Sequence, residues 1–316
     1  MNDRDMQLAH QEQHIVDLLA RMAPKEGYNL TALPDVRLLR SNRPLRRTPV
    51  LYDPGIVIVC QGRKRGYWGN QTYVYDAQHY LAVSLPVPFT METEASIEQP
   101  LLAIYLHLDI PLAAELLLEL EEEGISGPST PCGLMASPIE PALADTVSRF
   151  LEIMESPEDG KILGRQMVRE IYFRVLRGEQ GGAMRAALGT TTPFGRISRA
   201  IRRIHEAYAT PLDVESLARE ARMSVPTFHV HFKAATQTSP MQYVKAVRLH
   251  QARLLMFRQA RTAAVAASDV GYESPSQFSR EFRRLFGRTP TAEVAWMRST
   301  FELPPPESQS IYVASH

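Results

Sequence analysis

The chain is poor in cysteine, in clustered histidine and in long apolar runs. Only Cys60 and Cys132 occur among 316 residues, which leaves no disulfide framework and fits a reducing, cytoplasmic compartment. No stretch of about 18 apolar residues exists, so no segment is expected to span a membrane. The first twenty residues hold Asp3, Asp5, Glu12 and Asp17 and lack the basic start and apolar run of a secretory signal. No Gly-rich phosphate loop occurs, and no nucleophile stands at a recognisable spacing from a base, which argues against an enzyme. In the stretch that reads as β, His79 and His107 are the only histidines. Neither a metal nor any other cofactor is therefore expected.

Net charge is zero overall but unevenly spread. Residues 1–180 hold 17 Lys+Arg against 25 Asp+Glu, and residues 181–300 hold 18 against 8. A basic module behind an acidic one suits a polyanion such as double-stranded DNA. Within the basic part a segment occurs twice. Ser274–Pro290 reads SPSQFSREFRRLFGRTP, and fifty residues earlier Ser224–Pro240 reads SVPTFHVHFKAATQTSP. Ser224 matches Ser274, Phe228 matches Phe278, Phe232 matches Phe282, and Pro240 matches Pro290. A repeated supersecondary unit preceded by a short helix and a break is the outline of a helix-turn-helix.

Helical spacing assigns the faces. Ser274 is an N-cap with Pro275 in the first turn, and Phe278 and Phe282 share one face that must pack inward. The outward face then carries Ser276, Ser279, Arg280 and Arg283, with Pro226, His229, Val230 and Lys233 in the first copy, and the adjoining Gln277 and Thr227 are further candidate DNA contacts. Groups in these positions reach base edges and phosphates, and Arg280 is the best candidate for a bidentate guanine contact. Val230 offers only apolar contact. The connector over 240–257 would span roughly 27 Å, enough to serve adjacent major grooves about 34 Å apart.

The acidic part has a different texture. An amphipathic helix over 5–23 precedes short strands at 56–60, 67–75 with a Gly69-Asn70 turn, 80–84 and 101–108, which suggest a small barrel or sandwich. A helix over 111–123, a loop over 124–138 and helices over 141–156 and 162–178 follow. The last two carry Phe150, Leu151, Ile171, Tyr172, Val175 and Leu176, either as dimer contacts or as packing within the monomer. An aromatic barrel mouth of Tyr52, Tyr67, Trp68, Tyr80 and Phe89 could hold a small organic effector. Charge also suggests that the acidic half covers the basic face. The division expected is 1–180 sensor and dimerisation domain, 181–194 linker, 195–300 reader and 301–316 disordered tail. The fold class is multidomain α+β.

Residues 197–297 resemble the DNA-binding domain of the AraC/XylS family of bacterial transcription regulators. The resemblance rests on Val270-Gly271-Tyr272-Glu273-Ser274-Pro275-Ser276-Gln277-Phe278-Ser279-Arg280-Glu281-Phe282, with Leu217-Ala218, Phe228, Phe232-Lys233 and Ser239-Pro240 in the first copy. Tyr52-Asp53-Pro54, Gln61-Gly62-Arg63-Lys64 and Tyr75-Asp76-Ala77-Gln78-His79-Tyr80-Leu81 resemble the regulatory domain of one branch of it. The resemblance implies a cupin-like barrel with flanking helices, then two helix-turn-helix units joined by a long helix. It further implies a homodimeric, effector-responsive regulator that contacts RNA polymerase if it activates. The alternative is a constitutive DNA-binding protein whose barrel serves only dimerisation. Two positions depart from the family pattern: Val230, where a polar or basic residue is common, and Arg222, where glycine is common.

Overall fold

The computed structural model describes residues 3–125, 132–189 and 192–300; the expected tail at 301–316 lies outside the described residues. Helix α1 (Asp3–Met22) is followed by β1 (Gly27–Leu30), β2 (Val36–Ser41), β3 (Leu45–Leu51), β4 (Gly55–Gln61), β5 (Arg63–Trp68), β6 (Gln71–Asp76), β7 (His79–Val83), β8 (Pro88–Glu94) and β9 (Leu101–His107). Then come α2 (Ile110–Glu122), β10 (Leu134–Pro138), α3 (Pro141–Glu155), α4 (Pro157–Arg177) and α5 (Gly181–Leu188). The strands form one antiparallel sheet in the order β1-β2-β9-β4-β7-β6-β5-β8-β3, with β10 on β7. It curls into a half-barrel with β1 and β3 as its two edges.

Strand alternation sorts the side chains into two cores. Val57 and Val59 of β4, with Leu101, Ala103 and Tyr105 of β9, face the barrel interior. Ile56, Ile58, Leu102, Ile104 and Leu106 face an outer layer built from α1 and α2–α5. A sheet covered on both faces explains why β4 reads as an unbroken apolar run. Pro49 lies inside β3, which the sheet tolerates because β3 is an edge strand. The β5–β6 turn takes its positive φ, 58°, at Gly69 alone.

Two segments differ from the sequence reading. The stretch read as a loop over 124–138 contributes β10, whose Leu134 and Met135 are buried against β7. The expected linker at 181–194 contains α5, with Ala183, Met184 and Ala187 packed inward. In both places small and breaker residues hide a short element fixed by tertiary contact. Phe150, Leu151, Ile171, Tyr172, Val175 and Leu176 are all buried within the monomer, so they are not dimer contacts.

The reader region consists of α6 (Pro193–Ala207), α7 (Val214–Glu220), α8 (Val225–Thr236), α9 (Pro240–Arg258), α10 (Ala263–Asp269), α11 (Pro275–Phe286) and α12 (Pro290–Thr300). Helix α9, 19 residues, is about 28 Å long. The α7–α8 pair shares the barrel's interior core, which runs on into Ile197, Ile201, Phe228, Phe232 and Val244. The α10–α11 pair has a separate core of Ala266, Val270, Phe278, Phe282 and Phe286 against Leu249, Ala252 and Met256 of α9.

Candidate nucleic-acid interface

Both reader helices are fixed the same way. The Ser224 hydroxyl accepts from the Thr227 N–H at 3.4 Å, and the Ser274 hydroxyl from the Gln277 N–H at 3.3 Å. The inward rings of Phe228 and Phe232 lie 5.3 Å apart and those of Phe278 and Phe282 5.4 Å apart. Each helix stops at a left-handed residue, Gln237 (φ 57°) or Gly287 (φ 76°). The entry turns also need positive φ. The first supplies it with Arg222 (φ 51°), the second, one residue longer, with Gly271 (φ 84°). A Cβ on Gly271 would stand 2.5 Å from the Ala209 carbonyl oxygen, so only glycine fits there. Arg222, in the first turn, has an exposed side chain.

The outward residues are where helical spacing puts them. Pro226, Thr227, His229, Val230 and Lys233 on α8 are exposed, as are Ser276, Ser279, Arg280 and Arg283 on α11. Among the described residues, Lys233, Arg280 and Arg283 have no ion pair, which leaves three solvated cations on the two reading faces. The adjoining candidate Gln277 differs. It is half-buried and donates to the Glu281 carboxylate at 3.2 Å. Glu281 also accepts from Lys245 Nζ (2.8 Å) and the Tyr272 hydroxyl (2.7 Å). Burial pushes this carboxyl up, but the three hydrogen bonds outweigh burial and hold it below the usual carboxylate range. Glu281 thereby ties α11 to α9, and spacing alone gave no sign of it.

Helix α9 is also the joint with the barrel. Near its start, the Tyr243 hydroxyl donates to the Pro86 carbonyl, and His205 Nε2 lies 2.7 Å from the same hydroxyl. Further along, Arg253 is fully buried. Its Nη1 donates to the Pro49 carbonyl on edge strand β3 at 3.2 Å and to Glu293 at 3.4 Å, and its guanidinium lies 4.4 Å from the Phe286 ring centroid. Burial lowers the Arg253 pKa to about 10, against the pull of Glu293. The joint is thus apolar and hydrogen-bonded. The acidic half does not cover the reading faces, contrary to the expectation from charge. Apolar burial stabilises this contact, whereas exposed charges across water contribute little.

The aromatic candidates for an effector site do not form one group. Tyr52, Trp68 and Phe89 are buried in the barrel interior, with the Tyr52 and Phe89 rings edge to face at 4.9 Å. Tyr67 is next to Trp68 in β5 and so points outward; Arg47 stacks on it at 4.2 Å and it donates to Glu92 at 2.6 Å. Tyr80 belongs to the outer core. The same alternation brings in a residue that is not aromatic. Lys64, 1% exposed, lies in the interior with its Nζ 3.3 Å from the Tyr52 hydroxyl and 3.7 Å from Met91 Sδ. No carboxylate among the described residues pairs with it. Trp68 Nε1 is also buried without an acceptor among them. The signal was present as Lys64-Gly66-Trp68, the inward register of β5. Burial pushes the Cys60 thiol up to about 12 and raises that of Cys132, the opposite of a reactive thiolate.

Two family models match the chain: the AraC-type transcriptional regulator N-terminus over residues 32–183 and a helix-turn-helix domain over residues 217–294. The chain belongs to the AraC family. This AraC-family member is a DNA-binding transcription regulator and not an enzyme. It is 25% identical over 243 residues to the virulence regulon transcriptional activator VirF of Yersinia enterocolitica, covering 75% of this chain and 87% of VirF. It is 35% identical over 95 residues to the RCS-specific activator RclR of Escherichia coli, covering 30% of this chain and 34% of RclR. In fold the regulator is similar to ToxT of Vibrio cholerae, with TM-score 0.55 at 13% identity over 82% of this chain and 98% of ToxT. A ToxT structure with bound unsaturated fatty acid matches at TM-score 0.55 and 11% identity, over 84% and 98% of the two chains. No helix among the described residues is long and apolar enough to cross a membrane.

Proposed function

We propose that this regulator reads a promoter operator with α8 and α11. The observation that carries this reading is the pair of capped, phenylalanine-anchored helices with unpaired outward cations. Arg280 takes a guanine edge, Ser276 and Ser279 assist, and Arg283 and Lys233 take phosphates. On α8, Thr227 and His229 supply the polar contacts and Val230 an apolar one, with Pro226 at the helix entry. The division of labour is sensing and dimerisation in 1–180 and reading in 195–300, in a cytoplasmic homodimer that contacts RNA polymerase where it activates. The test is operator binding on DNA flanking the protein's own gene, for the intact chain and Arg280→Ala, at two salt concentrations. Specific binding with a steep salt slope that the variant loses supports the reading. Equal binding of any DNA by both proteins overturns the role of Arg280.

The barrel is the effector site in this proposal, and the unpaired buried Lys64 supports an effector with an anionic group. The bound fatty acid of the ToxT structure has that chemistry. Tyr52, Trp68 and Phe89 would line the apolar part. If the barrel serves dimerisation alone, Lys64→Met raises thermal stability and changes nothing else; if it senses, the variant loses effector-dependent operator binding.

A further inference from the structure

A second cleft lies where the sensor meets the reader. It has a volume of about 260 Å³, with α2 on one side, α6 on the other, and the end of α5 and Ser84 closing it. Its apolar wall includes Ile110, 47% exposed, and Leu117. Its polar wall is Ser198, Arg199 and Arg202 of α6. Among the described residues no acidic side chain lines it, and neither arginine has an ion pair or hydrogen bond there. The Nε of Arg199 is buried without an acceptor. A buried donor without a partner is costly, and more so when it is charged.

We infer that this cleft is a binding site for a compact carboxylate with an apolar body, separate from the barrel interior. A guanidinium presents Nε and Nη as a fork that matches the two oxygens of a carboxylate. The Ser198 hydroxyl and Arg202 stand beside Arg199 to complete the polar end. The α2 wall takes the apolar body, which a bare inorganic anion cannot use. A ligand here touches α2 of the sensor and α6 of the reader together. It therefore favours whichever relative placement of the two keeps both walls in contact.

Calorimetric titration of the full chain with cyclohexanecarboxylate tests the inference, with cyclohexanecarboxamide and inorganic phosphate as comparisons. In the Lys64→Met background, which removes the anion partner proposed for the barrel, saturable binding of one carboxylate per chain is expected, with the amide and phosphate weaker by at least about tenfold. Arg199→Gln should weaken the carboxylate by a similar factor and leave the melting temperature without ligand unchanged or raised. Ala114→Phe, which fills the cleft from the exposed side of α2, should weaken it without touching the arginines. Lys64→Met separates the two sites: binding that depends on Arg199 should remain in it, and any binding to the barrel should not. The inference is overturned if the carboxylate does not saturate at millimolar concentration, or if the amide binds equally well. It is also overturned if Lys64→Met abolishes binding while Arg199→Gln preserves it, which would send the ligand to the barrel. These readouts need no DNA, so they stand or fall apart from the operator reading.

Discussion

The α7–α8 unit and the α10–α11 unit share a serine cap, a phenylalanine pair and a left-handed C-cap, yet they have different neighbours and different reading faces. The first is continuous with the barrel core and is bolted to it through Tyr243 and Pro86. The second has its own core and meets the barrel through Arg253 and Pro49. The first shows His229 and an exposed Val230, the second Arg280 and Arg283. One unit is thus placed to follow the state of the barrel, and in the proposed reading the other carries more of the hydrogen-bonded readout. Helix α9 is the element both depend on, since it supplies packing to each.

The sharpest way to break this comparison is Arg253→Ala. The change removes the Pro49 contact, the stacking on Phe286 and one partner of Glu293, which is 1% exposed. Removing one member of a buried pair costs about 3–5 kcal/mol. Arg288 still holds Glu293 at 3.2 Å, which places the expected loss near the lower end. Urea unfolding should show it, with α10–α11 the first part to lose amide protection. A loss below about 1 kcal/mol would mean that α9 does not hold the second unit. Arg288→Ala, at a half-exposed partner, should cost no more than about 1 kcal/mol.

Acid should loosen both units. Burial lowers the His205 imidazole to about 3, and burial with the Arg253 charge lowers His250 well below its ordinary value. Both are neutral in the folded and the unfolded chain above about pH 6.5, where their contribution is fully present. As pH falls below that, the unfolded chain takes up protons that the folded chain does not, and stability falls. At pH 5 the loss is about 2 kcal/mol for His205. Denaturant melts at pH 7 and pH 5 check it, and His205→Phe should flatten the dependence. A dependence unchanged in that variant would remove His205 from the account.

On DNA the expected effects are next in size. Arg280→Ala should cost ~1–3 kcal/mol on the cognate operator and relax specificity at one base position. Val230→Ala should cost less than about 1 kcal/mol, because it removes only an apolar contact. Binding to single-base operator variants compares them. If Val230→Ala proves the more damaging, the assignment of readout to the second unit is reversed.

Much of this was legible in the sequence because the repeat pins two helices at once. Ser274, Phe278 and Phe282 fix a cap and an inward face, and the outward residues follow from 100° per residue. The run Ile56–Val59 and the Gly69 turn marked the sheet for similar local reasons. The barrel–reader joint was not legible. The bond from Arg253 to Pro49 spans residues far apart in sequence, and nothing local to either signals it. Lys64 was hidden in another way: a lysine in a strand reads as exposed unless the inward register is known. The bond from Gln277 to Glu281 was not legible either, because helical spacing does not show which neighbour an amide donates to.

The smallest expected effect sharpens the comparison most. Both reader helices end in the left-handed region, one with Gln237 and one with Gly287. A residue with a Cβ costs roughly 1–2 kcal/mol there, and glycine's extra freedom in the unfolded chain offsets part of that. Were the units equivalent, Gln237→Gly would stabilise and Gly287→Gln would destabilise by the same amount, about 0.5–1 kcal/mol. They are not equivalent. A Cβ on Gly287 meets nothing within 4 Å, whereas the Gln237 side chain approaches Gly69 at the tip of the β5–β6 hairpin. Gly287→Gln should therefore show the full backbone cost. Gln237→Gly should gain less than that, because it also gives up a contact with the barrel. Paired thermal melts of the two variants decide between these outcomes. Equal and opposite shifts would show that the hairpin contact contributes nothing, and that the barrel holds the first unit only through the shared core and α9.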